Sequence, residues 1–138
     1  MAIYKLFPEK DSTLYSQFPA QNTGLDSILE ASTYFIPTNT EVSRFLVKFS
    51  QSEIEDVINN KISGSVTDAT GSLLTESRAF ESNLRCFIAD VNGLSSDTTL
   101  EVYPVYSSWN MGTGKKSDVP KTENGCSWQF RLSSGSGD

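Results

Sequence analysis

Trp109, Asn110, Lys115, Asp118 and Arg131 are the side chains whose types and spacing come closest to forming a site. All five lie in one stretch, LEVYPVYSSWNMGTGKKSDVPKTENGCSWQFR, from Leu100 to Arg131. A flat indole beside amide, ammonium, carboxylate and guanidinium groups has the composition of a small-ligand site. A sugar ring can stack on the aromatic face while the polar groups take its hydroxyls. Ser107-Ser108-Trp109-Asn110 is a polar context between a strand-like run and a glycine-containing loop. Two readings of Trp109 stay open, an exposed platform or a lid folded back on the core. Trp128 alternates with Cys126 and Phe130 and is expected in the core, with Gln129 and Arg131 on the opposite face.

Catalytic chemistry finds little support. The chain has no histidine, so serine or cysteine triads that rely on an imidazole base are excluded. Asp118 with Glu123, or Asp90 with Asp97, could pair for glycosidase-type chemistry, but loop carboxylates are ordinarily solvated charges. Gly112-Thr113-Gly114-Lys115 lacks the spacing and the following helix of a phosphate cradle. Two cysteines without histidine do not make an ordinary zinc site, and no Asp-x-Asp-x-Asp-Gly run supports calcium. The expectation is therefore no catalytic residue, no metal and no cofactor. Cys86 and Cys126 both fall in strand-like runs and are expected to be buried free thiols.

The elements that would position these residues are mostly short strands. Ala2–Phe7 reads as a first strand ended by Pro8-Glu9-Lys10-Asp11, and Ser12–Tyr15 as a second extended run. Gln17–Gly24 is an irregular loop, Leu25–Ala31 a strand, and Pro37-Thr38-Asn39-Thr40 punctuation. Val42–Phe49 alternates Phe45, Val47 and Phe49 against Arg44, Leu46 and Lys48, which places Phe45 and Phe49 in the core. Residues 51–60 change period, with Ile54, Val57 and Ile58 at helical spacing and Ser52–Glu55 as a capping box. Residues 61–82 read as a long loop. Asn83–Val91 is apolar on both faces, as a central strand would be, and Leu100–Tyr106 and Cys126–Leu132 alternate like half-buried strands.

Together these predict an all-β chain: one antiparallel β-sandwich or jelly roll over residues 1–138, with one short helix. At 138 residues the chain can bury a core without metals or several disulfides. A net charge of −6 argues against nucleic acid and against an anionic membrane surface, both of which need a basic face. AIYKLF is too short for the apolar part of a signal peptide, and no run approaches the ~20 apolar residues of a membrane span. The chain is expected to stay in the cytosol or to belong to a larger polypeptide or particle. The Ser/Gly tail after Leu132 suggests a piece of a longer chain.

One family pattern covers most of the sequence. Asp11-Ser12-Thr13-Leu14-Tyr15, Asn22-Thr23-Gly24, Arg44-Phe45-Leu46-Val47-Lys48-Phe49, Tyr103-Pro104-Val105, Ser108-Trp109, Gly112-Thr113-Gly114, Asp118-Val119-Pro120 and Gly125-Cys126-Ser127-Trp128-Gln129-Phe130-Arg131 resemble the DNRLRE-type domains, which are jelly rolls like carbohydrate-binding modules. Two departures stand out. The naming motif has only Ser82-Asn83-Leu84-Arg85-Cys86 as its nearest text, and the family runs on through a further tryptophan and final strands. The resemblance implies either a glycan-binding module of a secreted or cell-surface protein or a structural domain of phage tails and virions. The acidic, Ser/Thr/Asn-rich chain favours the virion role, with copies of itself or other virion subunits as partners. The alternative is an extracellular glycan-binding module using the five residues named first.

Overall fold

The structure, a computed structural model, describes residues 3–62, 82–91, 93 and 99–134. The chain packs as two compact units, one made of Met1–Glu9 with Phe49–Ile88 and the other of Lys10–Lys48 with Ala89–Asp138. Its regular structure is mainly antiparallel strand, with one short helix among the described residues.

A three-stranded sheet contains β1 (Pro8–Tyr15), β2 (Ser32–Ile36) and β3 (Asn39–Phe49) in the order β1-β3-β2. β2 and β3 form an antiparallel hairpin in which Ile36 faces Asn39 across Pro37-Thr38, the predicted punctuation. β3 contains the predicted Val42–Phe49 run and extends it toward the turn. Phe45 and Phe49 are only half-buried, so the core does not centre on them. β1 corrects the expected strand-turn-strand opening: Pro8-Glu9-Lys10-Asp11 lies inside one continuous strand. Pro8 occupies its first position, where a missing N–H removes no ladder bond.

In the first unit, α1 (Gln51–Asp56) continues into a π-helical turn over Val57–Ile62. Its cap is Ser50, not the expected Ser52: the Ser50 hydroxyl accepts from the Glu53 N–H at 3.4 Å. Val57 is buried, while Ile54 and Ile58 are half-buried. The predicted loop over residues 61–82 lies outside the described residues for 63–81.

Several other predicted strands are absent as strands. Leu25–Ala31 is a loop fastened by the Asp26 N–H to Thr23 O and by the Leu25 N–H to Gly114 O. Residues 83–91 are exposed and belong to no strand among the described residues, and Phe87 and Ile88 stand out in solvent. Leu100–Tyr106 is likewise exposed and outside any strand; Pro104 cannot donate to a ladder. Cys126–Leu132 turns back on itself, because the Ser127 N–H donates to Phe130 O at 2.7 Å and the Ser127 hydroxyl accepts from the Phe130 N–H at 3.1 Å. Only the flanks of that turn pair, as β4 (Asn124–Gly125) against β5 (Ser133–Ser134).

The interior of the second unit is mainly polar. Ser12, Thr13, Gln21, Asn22, Thr23, Ser43 and Ser127 are buried, with Tyr15, Trp109 and Cys126 as the buried apolar groups among its described residues. Burial of so many polar groups is tolerable to the extent that they find hydrogen-bond partners, which Ser12 Oγ and Gln21 Oε1 do not among the described residues.

Candidate functional site

The loop Gln21-Asn22-Thr23-Gly24 organises the region that carries the predicted site residues. Asn22 has no exposed surface. Its Nδ2 donates to Met111 O at 2.7 Å and to Cys126 O at 2.8 Å, and its Oδ1 accepts from the Gly114 N–H at 2.7 Å and the Gly24 N–H at 3.2 Å. Its backbone N–H donates to Thr122 O at 2.8 Å. One side chain thus ties together three segments distant in sequence, using every donor and acceptor position an amide offers. Gln21 extends the knot by donating from Nε2 to Lys115 O at 2.9 Å and Lys116 O at 3.0 Å. Thr23 Oγ1 donates to Thr13 O on β1.

Glycine makes this approach sterically feasible. Gly112 has φ +76° and Gly125 φ +82°, in the left-handed region. A Cβ on Gly112 would overlap the Asn22 side chain and the Asn124 carbonyl.

The structure brings the five predicted residues onto the loops fastened by this knot; Trp109 is buried, Asp118 half-buried, and Asn110, Lys115 and Arg131 are exposed. Trp109 is buried, with 7% of its surface exposed, which places it as a lid on the interior. Its carbonyl accepts from Lys10 Nζ at 3.3 Å, and the same ammonium stands 5.8 Å from the ring centroid. Asn110 donates its N–H to Arg131 O at 3.2 Å and accepts from the Cys126 N–H at 2.7 Å, which joins two of the site segments through backbone. Lys115 donates its N–H to Asp118 Oδ2 at 2.8 Å. The same Asp118 oxygen accepts from Thr122 Oγ1 at 2.7 Å. Those two bonds, the Thr122 one foremost, hold the Asp118 carboxyl below its ordinary value. Arg131 reaches Ser108 O at 3.1 Å through Nη1.

Trp128, expected in the core, is instead 37% exposed because the 127–130 turn swings it outward. It borders an open groove of about 720 Å³ lined by Leu14, Leu46, Phe130, Leu132, Gln129 and Arg131, among others. The Arg44 guanidinium stands 5.2 Å from the Trp128 ring centroid, within cation–π range. Of the two readings open for Trp109 the structure takes the lid, while Trp128 departs from the core position expected of it.

A second polar cluster joins β1 to the 113–118 loop. Glu30 accepts from Tyr15 Oη at 3.0 Å, from Ser32 Oγ at 2.9 Å and from Lys116 Nζ at 2.9 Å, and that ammonium lies 4.3 Å from the Tyr15 ring centroid. Burial pushes the Glu30 carboxyl up, but the bonds from Lys116, Ser32 and Tyr15 outweigh it and leave it below its ordinary value. Burial, then the Glu30 contact, pushes the Tyr15 phenol well above its ordinary value. A phenol held neutral beside an ionised carboxylate fixes structure and does not supply a nucleophile.

Of the predicted free thiols, Cys126 is buried and burial pushes it up, whereas Cys86 is exposed. Asp97 of the second carboxylate pair lies outside the described residues. Among the described residues no group of three or more His, Cys, Asp or Glu side chains could hold a metal ion. No helix among them is long and apolar enough to cross a membrane. Sequence reasoning missed Gln21, Asn22, Glu30 and Trp128 as organising residues. The signal for the first two was the set of glycine-bearing turns, Asn22-x-Gly24, Gly112-x-Gly114 and Asn124-Gly125, which together call for close backbone approach. The chain matches no family model, no curated protein and no solved structure.

Proposed function

We propose that this chain is a β-sandwich module of the jelly-roll kind that acts by packing against copies of itself or other subunits of a larger particle, in a virion structural or tail-associated role without catalysis. The observation that carries this reading is the apolar surface of the second unit. Val102, Tyr103 and Tyr106 are 71, 72 and 94% exposed along one short segment. Large exposed apolar side chains in series are a cost to a free monomer and a resource for an assembly. The resemblance of the Trp109–Arg131 stretch to DNRLRE-type domains implies this role or a glycan-binding one, and the acidic, Ser/Thr/Asn-rich chain favours this one. The test is sedimentation of the native source, with this chain detected by antibody. Recovery in a large particle is the expected result; recovery on a soluble secreted polypeptide overturns the reading.

The groove beside Trp128 favours a second reading, a glycan-binding module of an extracellular protein. A partly exposed indole with Arg44, Gln129 and Arg131 nearby offers one stacking face and several hydrogen-bond donors. In this reading the platform is Trp128, since Trp109 faces inward. Titration with soluble polysaccharides should then show binding that Trp128→Ala removes. Binding unchanged in that variant refutes the groove as the site.

A further inference from the structure

The open edge of β2 has the chemistry of a self-pairing strand. Val42 on β3 directs its backbone toward the β1 side: its carbonyl accepts from the Ser16 N–H at 3.0 Å and its N–H donates to Ser16 Oγ at 2.8 Å. Val42 is the register partner of Thr33. In an antiparallel ladder, hydrogen-bonded and non-hydrogen-bonded pairs alternate, so Thr33 and, two residues on, Phe35 point their N–H and C=O groups away from β3. Among the described residues β2 is the last strand of its sheet, so those groups lie on its outer edge.

The two outer strands of the sheet differ in the way that matters for association. β1 carries Pro8, Glu9, Lys10 and Asp11, residues that blunt an edge. β2, Ser-Thr-Tyr-Phe-Ile, carries no charge and no proline, and its Tyr34 and Phe35 are 65 and 77% exposed. We propose that β2 pairs antiparallel with β2 of a second copy about a two-fold axis at Tyr34. This register sets Thr33 opposite Phe35 of the second copy, so the two outward-pointing residues of each strand exchange N–H···O=C bonds. Tyr34 meets its own symmetry mate at the centre, at the closer, non-hydrogen-bonded spacing. The proposal rests on the assembly reading above and names the surface that reading uses.

Charge and area decide the strength of this contact. Each copy carries a net charge of −6, so copies repel at long range, and the uncharged β2 is a stretch where they can approach without opposed carboxylates. Association should tighten as added salt shortens the screening length toward ~10 Å at 0.1 M. With aromatic side chains of roughly 200 Å² each, the four largely exposed rings offer on the order of 600 Å², about half of the ~1,200 Å² at the lower end of stable interfaces. The pairing is therefore weak and reversible alone, as suits one contact repeated among several in a particle.

Sedimentation velocity of the full chain at concentrations from roughly 10 μM to 1 mM tests the pairing, since those concentrations bracket weak affinities. The expected result is a concentration-dependent shift from monomer to dimer that strengthens with salt. Thr33→Pro removes an outward-facing N–H that β3 does not use, so it should keep its circular dichroism and thermal midpoint while dimerising about tenfold more weakly or less. Equal dimerisation of Thr33→Pro overturns the β2 interface and leaves assembly through another surface standing. A wild-type chain that stays monomeric throughout also overturns it, and recovery of the native protein outside any particle sinks the assembly reading as well. A measurement on the wild type needs no variant: hydrogen exchange of the Thr33 and Phe35 amides should slow as concentration rises, while that of Tyr34 stays constant. No change at Thr33 and Phe35 refutes the pairing.

Discussion

Replacing Asn22 tests the polar knot directly. Asn22→Ala removes two donors and one doubly used acceptor, leaving Met111 O, Cys126 O, Gly24 N–H and Gly114 N–H without the partner that bonds them. Each orphaned group in a water-poor site costs about 1–3 kcal/mol. Even with partial rescue by entering water, the four should together remove ~4 kcal/mol or more, most of the stability of a domain at the lower end of the usual range. Asn22→Asp sharpens the test because it keeps shape and acceptor but places a second oxygen where Nδ2 stood, 2.7 and 2.8 Å from two carbonyl oxygens. That arrangement favours the protonated acid, raising its value in the fold above the ~3.9 of an unfolded aspartate. Stability of this variant is then fully present below the unfolded value and lost as pH rises through the folded one. The assay is urea unfolding followed by tryptophan fluorescence, since Trp109 and Trp128 both belong to the second unit. The deficit of Asn22→Asp against wild type should shrink when pH falls from 7 to about 4.5. A loss below about 1 kcal/mol for Asn22→Ala, or a pH-independent deficit for Asn22→Asp, refutes the knot as the organising feature.

Three further outcomes follow from the same geometry. Gly112→Ala should destabilise far more than Gly93→Ala, because both positions have positive φ but a Cβ meets the Asn22 side chain at the first and open space at the second; equal urea midpoints would contradict this. Stability should be fully present above the ordinary Glu value of 4.5 and fall as pH drops through the lower value Glu30 takes in the fold, and Glu30→Gln should flatten that part of an acid titration. Under native conditions a disulfide-type thiol reagent should modify Cys86 quickly and Cys126 only on unfolding; two fast thiols would place Cys126 at the surface.

The parts of the fold legible in the sequence were those set by local rules. β3 shows its alternation plainly, and the hairpin turn at Pro37-Thr38 follows from turn chemistry. The helix was visible in the spacing of Ile54, Val57 and Ile58, yet its cap was misplaced by two residues. Ser50 and Ser52 each stand three positions before a glutamate, and only the extended backbone of Ser50, φ −65° and ψ 121°, decides between them. Alternation in 100–106 identifies two faces but says nothing of a pairing partner, and the expected strand does not form. The interior was least legible. Gln21-Asn22-Thr23 has the composition of a surface loop, and its burial depends on bonds to residues some 90 positions away in sequence, which hydropathy does not register. Trp128 was misplaced in a related way: its alternation with Cys126 and Phe130 suggests a core strand, whereas the 127–130 turn leaves it 37% exposed.

A polar interior also shapes how the second unit responds to temperature. Apolar surface exposed on unfolding raises heat capacity by about 0.45 cal/K/mol/Å², whereas polar surface lowers it by about 0.26. Unfolding a region whose buried groups are largely serine, threonine, asparagine and glutamine sets these contributions against each other, with Tyr15, Trp109 and Cys126 supplying the positive side. The calorimetric step should be small for the chain length, and the stability curve correspondingly broad and flat. Cooling then weakens this unit less than it would a domain built on aliphatic packing, and cold denaturation recedes to lower temperature.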